Sequence, residues 1–295
     1  MRTPILFISI IIFVSCGSKN EYYSETIHQN WVFKKTSDNR WLPAKVPGCV
    51  HTDLLNNKLI ADPFYRFRED SLQWIENEDW EYQTTFDVCE CLLDHTNFEL
   101  EFDGLDTYAD VFLNDSLVLK TDNMFIDHHI PCKKLVRAGL NNLHVYFHSP
   151  VKQQELKMKK YGNLPFSANE RMPENNRTRV FTRKAPFHYG WDWGPRFVTS
   201  GIWRPVRFAA WSNARIDDVY LQPVSVKNTK ADYKAKVYVI ADGSFPAEFI
   251  LKADGKEIVV PVDTTLVKGM NEIEIPFTIA APDLWWPNGW GNHKL

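Results

Sequence analysis

The chain has 295 residues, enough for one large or two medium domains with real cores, and its formal net charge of -3 excludes a partner held chiefly by positive charge, such as nucleic acid. The unusual feature is the aromatic content, 11 tryptophans and 14% aromatic residues, and part of it must fill cores, because aromatic side chains carry large buried area. Such surface is also what the C–H face of a sugar stacks on.

At the N-terminus Arg2 precedes an apolar run, Pro4 to Val14, that is short for a bilayer span. The run ends at Phe13-Val14-Ser15-Cys16-Gly17, and small residues around one cysteine resemble a bacterial lipoprotein cleavage site. Residues 1–15 are therefore expected to be a signal peptide, Cys16 the lipid-modified first residue, and 16–27 a polar tether. Ordinary secretion with cleavage near Cys16 is the alternative. Lipidation would place the protein in the bacterial cell envelope, periplasmic or at the surface, with the lipid as its contact with the membrane.

Thr52–Leu59 predicts a helix with Leu54, Leu55 and Leu59 on one face. Glu76, Glu78 and Asp79 then read as a polar loop leading into a strand. The alternation in Phe98–Asp103 predicts a half-buried strand, with Asp103 and Asp106 as turn residues around Gly104. Residues 108–121 predict a hairpin about Asn114-Asp115-Ser116, and Leu143–Phe147 another strand. His128 and His129, being adjacent, point to opposite faces. The polar stretch 150–182, with three prolines, predicts a long loop, functional or disordered.

After a boundary near 211–214 the pattern changes to Lys-and-apolar alternation in Lys234–Ile240. A hairpin is expected in 247–262 about Asp254-Gly255, and a strand in Glu272–Phe277. Few helices and many short strands imply an all-β chain. The first domain, 28–212, is expected to be a β-sandwich or jelly roll, and the second, 213–295, an incomplete immunoglobulin-like sandwich.

Oxidising surroundings permit disulfides among Cys49, Cys89, Cys91 and Cys132, but spacing does not assign them. Cys89 and Cys91 lack the second pair of a zinc site, and no metal or cofactor is expected. No Gly-rich phosphate loop, Gly-x-Ser-x-Gly elbow or His-Glu-x-x-His helix occurs. Asn114 and Asn176 open glycosylation sequons, which a bacterial leader makes irrelevant.

The segment "FHYGWDWGPR" (187–196) stands apart. Trp191 and Trp193 could wall a sugar, and the ionised Asp192 could accept from two neighbouring hydroxyls. Equally, the rings could fill a core corner while Asp192 caps a turn. The residues alone leave both readings open.

"RKAPFHYGWDWGPRFVTSGIWRPVRF" (183–208) resembles the signature of β-mannosidases of glycoside hydrolase family 2. "LPAKVPGCVHTDLLNNKLIADPFYR" (42–66), "WIENEDWEYQTTF" (74–86), "DGLDTYADVFLNDSLVLKTDNMF" (103–125) and "PDLWWPNGWGNHKL" (282–295) resemble that family in the same order. The resemblance implies a jelly roll, then an immunoglobulin-like sandwich, then a (β/α)₈ barrel bearing an acid/base glutamate and a nucleophilic glutamate, which act by retaining double displacement. No position here matches either glutamate, so no catalytic residue is expected in this chain, which alone should be inactive. What carries over is substrate binding: Trp191, Asp192 and Trp193 would reach into the barrel's mouth and hold the terminal mannose of a β-mannoside or mannose-containing glycan. Arg183 and His188 would brace their loop. A stand-alone carbohydrate-binding lipoprotein is the alternative.

Overall fold

A computed structural model describes residues 22–162, 164–165, 178–253, 256–257 and 262–291. The segment expected to be a signal peptide (1–15), Cys16, part of the expected tether, Asn176 and the expected Asp254-Gly255 turn lie outside the described residues. The chain divides into two compact units, with the boundary between Ala210 and Trp211.

The first unit opens with β1 (Tyr23–Thr26), β2 (Val32–Lys35) and β3 (Leu42–Pro43), followed by α1 (Val50–Asn56) and α2 (Arg68–Ser71). Next come β4 (Trp80–Val88), β5 (Asn97–Phe102), β6 (Ala109–Leu113), β7 (Ser116–Lys120), β8 (His128–Pro131) and β9 (Gly139–Phe147). The short α3 (Glu155–Tyr161) and β10 (Val206–Trp211) complete it. Two sheets result, ordered β1-β10-β5-β8 and β3-β2-β4-β9-β6-β7.

Period-2 alternation builds the core. Leu143, Val145 and Phe147 of β9 point inward with Tyr82 of β4, Phe33 of β2 and Phe102 of β5. Burial of each such side chain contributes roughly 1.5–3 kcal/mol. The β6–β7 hairpin turns on Asn114 and Asp115, both with positive φ (48° and 67°). That is the two-residue geometry whose twist suits antiparallel strands, and Asn and Asp tolerate it.

Three expectations need correction. The helix starts at Val50 and stops at Asn56, because Lys58 has left-handed φ (59°). Its inner face is Val50, His51, Asp53 and Leu54, whereas Leu55 and Leu59 are exposed. β5 is buried on both faces, since Glu99 and Glu101 are covered as well as their apolar neighbours. Within the expected loop 150–182, a 3₁₀ turn (Lys152–Gln154) runs directly into α3.

The second unit comprises β11 (Ala214–Lys227), β12 (Lys230–Ala241), β13 (Phe245–Phe249), β14 (Lys252–Ala253), β15 (Lys256–Glu257), β16 (Val262–Leu266) and β17 (Gly269–Ala280). β11, β12 and β17 form a three-stranded antiparallel sheet, while β13 pairs with β16 and β14 with β15. Ala235, Val237, Val239, Ile275 and Leu266 form its core, with Phe245 and Phe249 packed against them.

Candidate functional site: an aromatic turn beside an apolar cavity

The segment 187–196 is a tight hairpin with a fixed base and an open tip. Tyr189 and Arg196 bridge antiparallel, Phe197 N–H donates to the His188 carbonyl (2.9 Å), and Trp191 N–H donates to the Gly194 carbonyl (3.1 Å). Gly190 sits at φ 91°, which a side chain would strain. The base is clamped from a distant part of the chain. The buried Arg196 guanidinium donates to both oxygens of Glu76 (2.9 and 3.1 Å) and lies 5.2 Å from the Tyr189 ring centre. Arg196 N–H donates to Glu69 Oε1 (2.6 Å), and Gln73 Nε2 donates to the Arg196 carbonyl (2.9 Å). Burial raises the Glu76 carboxyl pKa, and the guanidinium opposes that rise. Glu76, expected in a polar loop, thus anchors the hairpin from a 3₁₀ helix, Gln73–Asn77.

At the tip the three singled-out residues occupy different environments. Trp193 is 82% exposed, Asp192 is exposed, and Trp191 is half-buried. The two indoles lie 5.7 Å apart with their planes tilted by 58°. Asp192 Oδ1 accepts from the N–H of Trp193 (3.1 Å), so the carboxylate does cap its own turn. The rings, however, do not fill a core: Trp191 and Trp193 line a cavity of about 610 Å³ together with Phe64, Phe187 and Phe197. Asp192 is not among the residues lining it. The volume suits a small-molecule site.

Polar groups of the cavity wall are few and uncharged. His51 and His188 line it, and burial, reinforced by the nearby Lys184 ammonium, pushes both imidazoles down to about 4. They are neutral at pH 7. Beneath them lies a buried ion pair, Lys184 with Asp106, in which Lys184 Nζ also donates to the Thr199 carbonyl (2.7 Å) and Thr107 Oγ1 donates to Asp106 (2.6 Å). His188 Nδ1 stands 3.6 Å from the same carboxylate. Asp106 is therefore a buried hub rather than a turn residue. Gly201 closes against α1 there: a Cβ would come within 2.7 Å of Cys49 Cα. Sequence reasoning missed Glu76, Arg196, Lys184 and Asp106, whose partners lie 78 and 120 positions away. His188 does pack at the hairpin's base, whereas the Arg183 side chain pairs with Asp122 at the surface (2.7 Å).

Elsewhere, Cys89 and Cys91 form a disulfide, while Cys49 and Cys132 are free thiols. Burial pushes the Cys132 thiol up to about 12. Ligand atoms of Glu99, Glu101 and His129 lie within 4.8 Å of one another, and Arg207 donates to Glu101 (3.0 Å).

Residues 31–204 match the family model described as the glycosyl hydrolase 2 galactose-binding domain-like domain. The chain belongs to glycoside hydrolase family 2. Among the curated relatives, a β-mannosidase B of Aspergillus terreus is 33% identical over 283 residues, covering 93% of this chain and 32% of its own length. The crystal structure of a β-D-mannosidase from Dictyoglomus thermophilum aligns with TM-score 0.82 at 37% identity, over 91% of this chain and 33% of that one. An exo-chitosanase of Amycolatopsis orientalis shares the fold at 18% identity and TM-score 0.64. This family-2 chain thus spans about a third of the length of the relatives it matches.

Proposed function

We propose that this chain is the N-terminal, substrate-framing portion of an exo-acting retaining β-mannosidase, with Trp191, Asp192 and Trp193 holding the terminal mannose. The observation that carries this reading is the pairing of an exposed Asp192 and Trp193 with a rigid hairpin base, beside an aromatic cavity. A buried, two-point Arg–carboxylate clamp fixes the turn's direction, so the tip does not have to be ordered on binding. Trp193 offers a free indole face to sugar C–H groups. Asp192 spends one lone pair on its own turn and keeps the rest of its acceptor capacity for hydroxyls. Contacts of this kind, remote from the breaking bond, hold the reacting carbon in place and lower the barrier through orientation. The catalytic glutamates would come from the part of the relatives that this chain does not span. Cys16 would carry the lipid that tethers the enzyme in the cell envelope, a proposal that metabolic labelling with an alkyne fatty acid tests through loss of signal in Cys16→Ser.

A second reading, a stand-alone carbohydrate-binding module, draws on the cavity being built wholly by this chain. Isothermal titration of residues 27–295 with mannose and short β-mannosides decides between them. The proposed reading expects no saturable heat from the isolated chain. Binding abolished by Asp192→Ala would favour the module.

A further inference from the structure

The connection from β4 to β5 carries a disulfide that closes over a single residue: Cys89 and Cys91 are joined around Glu90, and both are exposed. A crosslink stabilises a fold mainly by restricting the unfolded chain, and that restriction grows with the loop it closes, so a loop holding one residue sits at the low end of the scale. The segment is also held without it. Leu92 and Leu93 pack against the core, and Lys133 Nζ donates to the Leu93 carbonyl. Leu92 N–H and His95 N–H close the turn on the carbonyls of Cys89 and Leu92 (both 3.0 Å). On either side β4 pairs with β9 and β5 with β8. The disulfide is therefore not what keeps this part of the fold in place.

Its two sulfurs are not equivalent. The Cys91 N–H donates to Cys89 Sγ (3.2 Å), so negative charge arriving on Cys89 meets a donor already aimed at it. The sulfur whose thiolate is stabilised is the better leaving group, which directs an incoming thiolate to Cys91 Sγ. Charge along the connection selects the attacker. Asp87, Glu90 and Asp94, all exposed, stand against one ammonium, that of Lys133. This surplus of negative charge repels an anionic thiol and favours a neutral or cationic one.

We infer that Cys89–Cys91 is a thiol–disulfide exchange site, opened and re-formed in the folded protein by low-molecular-weight thiols, with Cys91 as the sulfur attacked. An incoming thiolate RS⁻ forms a bond to Cys91 Sγ as the bond between the two cysteines breaks, and the electron pair leaves on Cys89 Sγ. A second thiolate attacks the sulfur of R in this mixed disulfide, forms RS–SR and releases Cys91 as a thiolate. Two thiols are thus oxidised to one disulfide and the protein disulfide is reduced to two thiols. The two protons pass from the attacking thiols, through solvent, to Cys89 and Cys91. Cys132, buried with its thiol pushed up to about 12, is an unreactive reference in the same unit. The site makes no use of the sugar-directed hairpin and stands apart from the proposed function.

The test equilibrates the product of the complete reading frame that contains this chain in buffers of graded cysteamine-to-cystamine ratio. The folded protein is then alkylated with N-ethylmaleimide and its peptides are mapped by mass spectrometry. The expected result is that Cys89 and Cys91 become alkylated together as the ratio rises, while Cys132 stays unalkylated and the thermal midpoint is unchanged. Acid quenching after brief exposure to cysteamine is expected to trap the mixed disulfide on Cys91, and Cys89→Ser, which cannot expel the attached thiol, to hold it there as a stable adduct after treatment with cystamine. Anionic glutathione is expected to open the pair severalfold more slowly than cysteamine at equal thiolate concentration in low salt, with the gap narrowing in high salt. A pair that stays oxidised until the protein unfolds, a midpoint that falls as it is reduced, or an adduct on Cys89 alone overturns the inference. Equal rates with the two thiols overturn the charge preference.

Discussion

Trp193 and Trp191 are two residues apart, yet one indole stands in water and the other is half covered. Their truncations should therefore separate binding from stability. Trp193→Ala is expected to change unfolding free energy by no more than about 0.5 kcal/mol, and Trp191→Ala to cost about 1–3 kcal/mol, in urea denaturation. Titration gives a second prediction. His51 and His188 have folded pKa values near 4, below the ordinary 6.5, so each contributes stability that is present above pH 6.5 and lost as pH falls through 4. Asp53, buried and raised to about 6, works the other way: its contribution is present below about 4 and lost as pH rises through 6. Two histidines outweigh one carboxyl. Acidification from pH 7 to pH 4 should cost on the order of 3 kcal/mol from these groups, read as a falling urea midpoint; an unchanged midpoint contradicts the neutral-histidine wall. In the sequence, the aromatic cluster was legible because its residue types are unusual and adjacent. Glu76, Arg196, Lys184 and Asp106 were not. A charged residue that finds a buried partner 78 or 120 positions away leaves no local pattern, and each reads as solvent-exposed.

The hairpin over 187–196 works as one element because its base is buried and its tip is not. Glu76→Gln leaves the Arg196 guanidinium buried without its full counter-charge, and should cost about 3–5 kcal/mol. Adding Arg196→Met should recover a large part of that loss, since the double variant buries no unpaired charge; full additivity would show the two groups to be uncoupled. Gly190→Ala, at φ 91°, should cost about 1–2 kcal/mol by strain alone. Strands were legible for a physical reason: period-2 alternation survives in β6, β9 and β12, each with alternate residues buried. The β6–β7 turn declared itself through Asn114-Asp115. Element ends were less legible. α1 was misplaced because a buried His51 and Asp53 occupy its inner face, and a reading that seeks only leucines passes over them. Asp53 is held there by the Lys45 N–H (2.9 Å), just upstream of the helix, and by Tyr82 Oη (2.8 Å), 29 positions along the chain.

The whole molecule joins two β units whose sequence matches the first third of β-mannosidase relatives, and the account assigns it the sugar-holding share of their work. Under the proposed function, the exposed tip at Trp193 is the surface directed at substrate. The most direct measurement is kcat/KM for 4-nitrophenyl β-D-mannoside with the product of the complete reading frame, wild type and Asp192→Ala. Two charge-assisted hydrogen bonds at about 1.5–3 kcal/mol each correspond to a loss of roughly 100-fold or more. The account predicts β-mannoside hydrolysis by the wild type and that loss in Asp192→Ala with an unchanged thermal midpoint. No hydrolysis by the wild type, or equal kcat/KM in the variant, would contradict it.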